Sequence, residues 1–144
     1  MPAVREAAEG YLTISGPENI RNKIIHMLCH AGKRIYFSAS VSLMNDLEQE
    51  LKEALQKEIK LVLMPDGEIS SRQLREGSIC YIGKDKGKQV RLIIDSAYAL
   101  TGELTGNAGD TCLYTGQENF INVFKEALRN EIKLIQLTGG KENE

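Results

Sequence analysis

The run Gln89-Val90-Arg91-Leu92-Ile93-Ile94-Asp95-Ser96-Ala97-Tyr98-Ala99-Leu100-Thr101-Gly102 constrains the fold more than any other part of the chain. Its first half is an apolar, β-branched segment that stops at an aspartate, which reads as a buried strand. Asp95-Ser96 marks a tight reversal, and a second strand then runs to Gly102. Strands joined by so short a turn pair antiparallel, whereas a parallel pair needs a long crossover.

The amino-terminal part follows the other rule. Tyr11 to Ile14 reads as a short strand, and Ser15-Gly16-Pro17-Glu18 fits a helix start of the capping-box kind. Ile20, Ile24, Met27, Leu28 and Ala31 recur at helical spacing before Gly32, and Lys33 to Ser38 is again a strand. Leu43, Leu47, Leu51 and Leu55 predict one amphipathic helix, followed by the strand Ile59 to Met64 and the turn Pro65-Asp66-Gly67. Alternating strand and helix calls for parallel strands with helices on the sheet. Beyond Ser71 the pattern is a short helix, strands Ile79 to Ile82, Val90 to Ile94, Tyr98 to Thr101 and Thr111 to Tyr114, then a last helix. That helix is expected to pack through Phe120, Phe124, Ala127, Leu128 and Ile132. Gly83 to Lys88 reads as a hairpin-like loop, and Glu103 to Asp110 as a flexible one. The expected class is α/β, a mixed parallel and antiparallel sheet flanked by helices.

At 144 residues the chain suits one domain with a sizeable core. Residues 1–10 read as a linker, 11–137 as the domain and 138–144 as a polar tail, and the abrupt Met1-Pro2-Ala3 suggests a start within a longer parent protein. A formal net charge of −2 gives no basic field for nucleic acid. No apolar run suggests a membrane span, no signal peptide is evident, and three scattered cysteines fit a reducing cytoplasm.

The Gln89-to-Gly102 spacing resembles the core motif of the phospholipase D-like superfamily, in which His-x-Lys precedes an Asp by a fixed interval and a Gly-Ser pair follows. Asp95 and Gly102 keep that spacing; Lys88 stands at the histidine's place, Val90 at the lysine's and Glu103 at the serine's. Taken whole, the chain is similar to the C-terminal effector domain of TrmB-type transcriptional regulators. Gly10 to Ile20, with its strand leading into a Gly-x-Glu-x-Ile helix start, and Ala31 to Ser38 carry that likeness, and the order of elements continues it to Leu137. The resemblance implies a phospholipase D-like fold without enzymatic activity, a homodimer, and contact with DNA only through a winged-helix domain that this chain does not show.

Chemistry that moves a phosphodiester on this fold needs a histidine nucleophile and a lysine against phosphate charge. His26 and His30 are the chain's only histidines, and they fall with Cys29 in the first helix. Helical spacing puts the two on one face, yet no second ligand cluster accompanies them, so no metal and no cofactor are expected. Ligands of open α/β sheets sit beyond the carboxyl ends of the strands. Ser38, Ser40, Asp66, Asp95 and Glu103 are therefore the candidate ligand-binding residues, suited to a small polar metabolite such as a sugar. Each also has a structural alternative: Ser40 or Ser42 as a helix cap, Asp66 in its Pro-Asp-Gly turn, Asp95 in its reversal. The expected function is an effector-sensing and dimerisation domain. The alternatives are a phosphodiester-cleaving or phosphatidyl-transferring enzyme with an altered motif, and a dimerisation module without ligand.

Overall fold

A computed structural model describes residues 11–83 and 89–138. The expected linker 1–10, most of the 83–88 loop with Lys88, and the tail from 139 onward lie outside the described residues. Seven strands form one sheet: β1 (Tyr11–Ser15), β2 (Arg34–Ser38), β3 (Lys60–Met64), β4 (Ile79–Cys80), β5 (Gln89–Ile94), β6 (Tyr98–Glu103) and β7 (Thr111–Thr115). Their order is β1-β7-β6-β5-β2-β3-β4. β2, β3 and β4 run parallel, and every other neighbouring pair is antiparallel. The mixed sheet is the expected one, and its two halves obey the two connection rules read from the sequence.

Helices α1 (Pro17–His30), α2 (Val41–Asp46), α3 (Glu48–Gln56) and α4 (Arg72–Gly77) supply one layer, and α5 (Glu118–Thr138) the other. Ile35, Phe37, Leu61, Leu63, Leu92 and Leu100 face the first layer, packed with Ile24, Leu28, Leu47 and Leu51. The alternate positions Val62, Met64, Ile93 and Ala99 pack on Ile121, Phe124 and Leu128 of α5. This period-two division of single strands between two cores explains why β3 and β5 are apolar almost throughout.

Local details depart from the sequence reading. Ser15 is the last residue of β1; the cap of α1 is Gly16 at φ 91°, a left-handed setting suited to glycine, with no side-chain bond to the helix. The expected Leu43-to-Leu55 helix breaks at the fully buried Leu47, where φ is −101° and ψ 20°. In α5, Ala127 is exposed, while Ile121 and Ile135 are buried. Phe120, Phe124, Leu128 and Ile132 pack on the sheet as expected, so the helix keeps the expected face and only Ala127 falls outside it.

Candidate functional site

The direction of the strands decides what gathers at each end of the sheet. The carboxyl ends of β2 and β3 share an edge with the starts of β5 and β7 and the ends of β1 and β6. At this edge a cleft of ≈ 180 Å³ opens, lined by Arg21, Ser40, Ser42, Leu43, Asp46, Gln89, Val90, Leu104, Thr105 and Gly106. Val90, Leu43 and Leu104 bring apolar surface to it. Ser40 and Ser42 bring hydroxyls to it, and Arg21 and Asp46 add an ion pair at 3.6 Å.

Local chemistry builds this arrangement. Ser40 caps α2, its Oγ accepting the Leu43 amide at 3.3 Å. Asp66 Oδ1 accepts the Val41 amide at 2.9 Å, tying the β3 turn to the same helix start. The opposite lip is held by Asp110. Its carboxylate accepts the Thr105 hydroxyl at 2.6 Å and the amides of Thr105 and Gly106, each at 2.8 Å. Those contacts, the Thr105 hydroxyl foremost, hold the Asp110 carboxyl below its ordinary range. Its carbonyl also accepts the Gly16 amide at 2.8 Å, so the lip is fastened to the start of α1. Expected as a flexible loop, the segment is instead organised around one aspartate.

The predicted residues do not converge. Ser40 lines the cleft, and Asp66 stands behind it on the start of α2. Glu103 ends β6 at the same edge, paired in register with Gln89, but the pleat sends its side chain towards the α5 layer. Ser38 also faces α5, where its hydroxyl donates to Glu131 Oε2 at 3.5 Å, beside an Arg91–Glu131 ion pair at 3.6 Å. Asp95 lies at the other edge altogether. β5 runs antiparallel to β2, so its carboxyl end meets the start of β2. There the Asp95 carboxylate accepts the amides of Gly32 at 3.0 Å, Lys33 at 2.7 Å and Arg34 at 3.0 Å. Burial alone would raise its pKa; the three amides outweigh that and leave it below the ordinary range.

Arg21, Ser42, Asp46, Gln89 and Thr105 escaped the sequence reading because they come from separate segments. The antiparallel direction of β5 was the available signal, since it places the start of that strand, not its end, at the ligand edge. The thiol nearest this region, Cys112, is buried and pushed up to about 11, first by desolvation and then by the charge of Asp110, so it stays neutral. His26 and His30 stack at 4.1 Å on the exposed side of α1; no cluster of three metal-ligating side chains occurs among the described residues.

Solved structures share this architecture. TrmBL2, an archaeal chromatin protein whose structure shows a novel mode of DNA binding, superposes with a TM-score of 0.70 at 16% identity, over 88% of this chain and 53% of that one. The phospholipase D family member Nuc from Salmonella typhimurium gives 0.60 at 12% identity, over 85% and 93%. The fold is phospholipase D-like. The phosphatidylserine synthase of Haemophilus influenzae follows at 0.57 and 10% identity, over 85% of this chain and 38% of that one. No protein-family model matches the chain, and no curated protein does. The chain spans about half the length of TrmBL2, and identities this low show the fold alone. The expectation of a chain without enzymatic activity is corrected by these neighbours: the fold is one that enzymes such as the synthase use, and the altered motif does not decide the matter. Among the described residues no helix is long and apolar enough to cross a membrane.

Proposed function

We propose that this chain is the effector-sensing domain of a TrmB-like transcriptional regulator, and that the cleft between α2, the start of β5 and the 104–106 lip holds a small polar metabolite. The observation that carries the reading is the composition of that cleft. An apolar wall, two serine hydroxyls and one ion pair offer apolar contact and both kinds of hydrogen-bonding group, with no net charge to select an anion. At ≈ 180 Å³ it is smaller than the roughly 300–1,000 Å³ of pockets for drug-sized ligands, which suits a compact molecule such as a monosaccharide. The likeness to TrmBL2 supports the regulatory context.

A thermal-shift screen against sugars, sugar phosphates and other common metabolites tests this reading. A ligand that binds only the folded chain stabilises it by about 2.7 kcal/mol at a hundredfold excess over Kd. The expected result is a saturable rise in Tm that disappears in Asp46→Ala and Ser42→Ala. A screen without any such rise defeats it.

The enzyme neighbours favour a second reading, phosphodiester chemistry at the same edge. Val90, buried at the position that the motif gives to a lysine, brings no charge there. Hydrolysis of a generic phosphodiester by the purified chain, lost in Arg21→Ala, would favour this second reading over the first.

A further inference from the structure

Two imidazoles stand together at the carboxyl end of α1. His26 and His30 lie one turn apart on an exposed face, their rings stacked with centroids 4.1 Å apart and planes inclined by 27°. His30 Nδ1 is 2.9 Å from the His26 carbonyl oxygen. A carbonyl only accepts, so Nδ1 carries the proton and Nε2 keeps its lone pair. That bond sets the tautomer and steadies the ring, as an outer-shell partner does for a metal-bound histidine. The helix ends at His30, and the unsatisfied carbonyls of its last turn favour a cation. Lys57 Nζ already sits there, 3.0 Å from the Cys29 carbonyl oxygen. Lys23, nearly a turn before His26, is engaged with the Tyr114 ring, its ammonium 3.9 Å from the ring centre.

We propose that His26 and His30 together bind one divalent late first-row transition ion, with water completing its coordination. Sequence spacing argued against a metal for want of a further ligand cluster; the structure adds a paired ring geometry and a set tautomer. Imidazole nitrogen suits Cu²⁺, Ni²⁺ and Zn²⁺, whereas Mg²⁺ and Ca²⁺ take oxygen ligands. Nitrogens on adjacent corners of such an ion, each about 2.0–2.1 Å from it, are about 3 Å apart. Closing from the 4.1 Å ring spacing to that separation takes a rotation of the exposed His26 ring, while His30 stays held by its carbonyl. No group of three metal-ligating side chains occurs among the described residues, so the bound ion keeps open positions for water or an outside ligand. Affinity should follow the usual order for nitrogen sites, with Cu²⁺ tightest. At about 1.5 Å per residue, His30 lies about 14 Å along α1 from Arg21 at the cleft, so the two sites are separate.

Calorimetric titration of the whole, untagged chain with Ni²⁺, from about 1 µM to about 1 mM, measures the site. Ni²⁺ is the probe because Cu²⁺ would oxidise the exposed Cys29 thiol. The expected result is a saturable isotherm with one ion per chain. His26→Ala or His30→Ala leaves a single imidazole and should weaken binding by more than the about 10–100-fold that loss of an outer-shell partner costs. Both side chains are exposed, and far-UV circular dichroism checks that each variant keeps its helices. Cys29→Ser should leave the affinity unchanged, and Mg²⁺ over the same range should give no binding heat. An absence of saturable heat with Ni²⁺ overturns the site. So does an affinity that survives both single histidine changes, or an equal response to Mg²⁺. Binding lost in Cys29→Ser would assign the ion to the thiol and overturn the histidine pair as well.

Discussion

Asp95 adopts φ 55°, as does Ser96, and the Ala97 amide donates to the Ile94 carbonyl at 2.9 Å, closing the β5–β6 reversal. Asparagine tolerates this backbone setting, so Asp95→Asn removes the charge while keeping the turn. Because the folded carboxyl titrates below the unfolded value of about 3.9, its stabilisation is complete above that value and fades as pH falls through the folded pKa. At neutral pH, Asp95→Asn is expected to cost about 1–2 kcal/mol, since the three amides are solvent-accessible. The deficit relative to the wild type should shrink in melts taken from pH 4 downward; a gap constant with pH would mean that the charge is not its source. Gly102 answers to packing rather than conformation. A Cβ there would overlap the Thr111 carbonyl oxygen and come within 2.6 Å of Cys112 Sγ. Gly102→Ala should cost about 1–3 kcal/mol by urea denaturation, and a neutral result would show that β6 and β7 can part without penalty.

Among the elements, the 104–110 lip separates ligand binding from folding. Without the Asp110 carboxylate the amides of Thr105 and Gly106 lose their acceptor. Asp110→Ala should speed their hydrogen exchange by about tenfold or more while protection in β5 persists. Equal loss in both places would mean that the lip is integral to the core. This lip also marks the limit of what the sequence disclosed. The strands were legible because apolar runs and turn residues are local signals, and β5 and β6 lie within a residue or two of their expected bounds. The Leu47 break was not, since tertiary packing bends a helix whose own periodicity is unbroken. The packing face of α5 was legible at Phe120, Phe124, Leu128 and Ile132, and missed only at Ala127. The cleft was legible only at Ser40. Its remaining members meet through the crossing of β5, α1, α2 and the lip, a relation that no short motif encodes.

At the scale of the whole molecule, the two cores are not separable bodies. β3 sends Leu61 and Leu63 into one and Val62 and Met64 into the other, and β5 divides Leu92 and Ile93 the same way. Stripping α5 from the sheet would expose the far side of strands whose near side still anchors α1 and α3. Each layer therefore loses its platform when the other melts, and unfolding should be all-or-none. Leu51→Ala in α3 and Leu128→Ala in α5 remove side chains that are at most 1% exposed, each at a cost of about 2–5 kcal/mol. Both should move the urea midpoint of one shared transition without changing its slope, whether followed by far-UV circular dichroism or by tyrosine fluorescence. A Leu128→Ala chain that loses the α5 layer at low urea, while the α1–α4 layer melts at the wild-type midpoint, would refute this. The protein would then be a self-sufficient half-sandwich carrying a detachable helix.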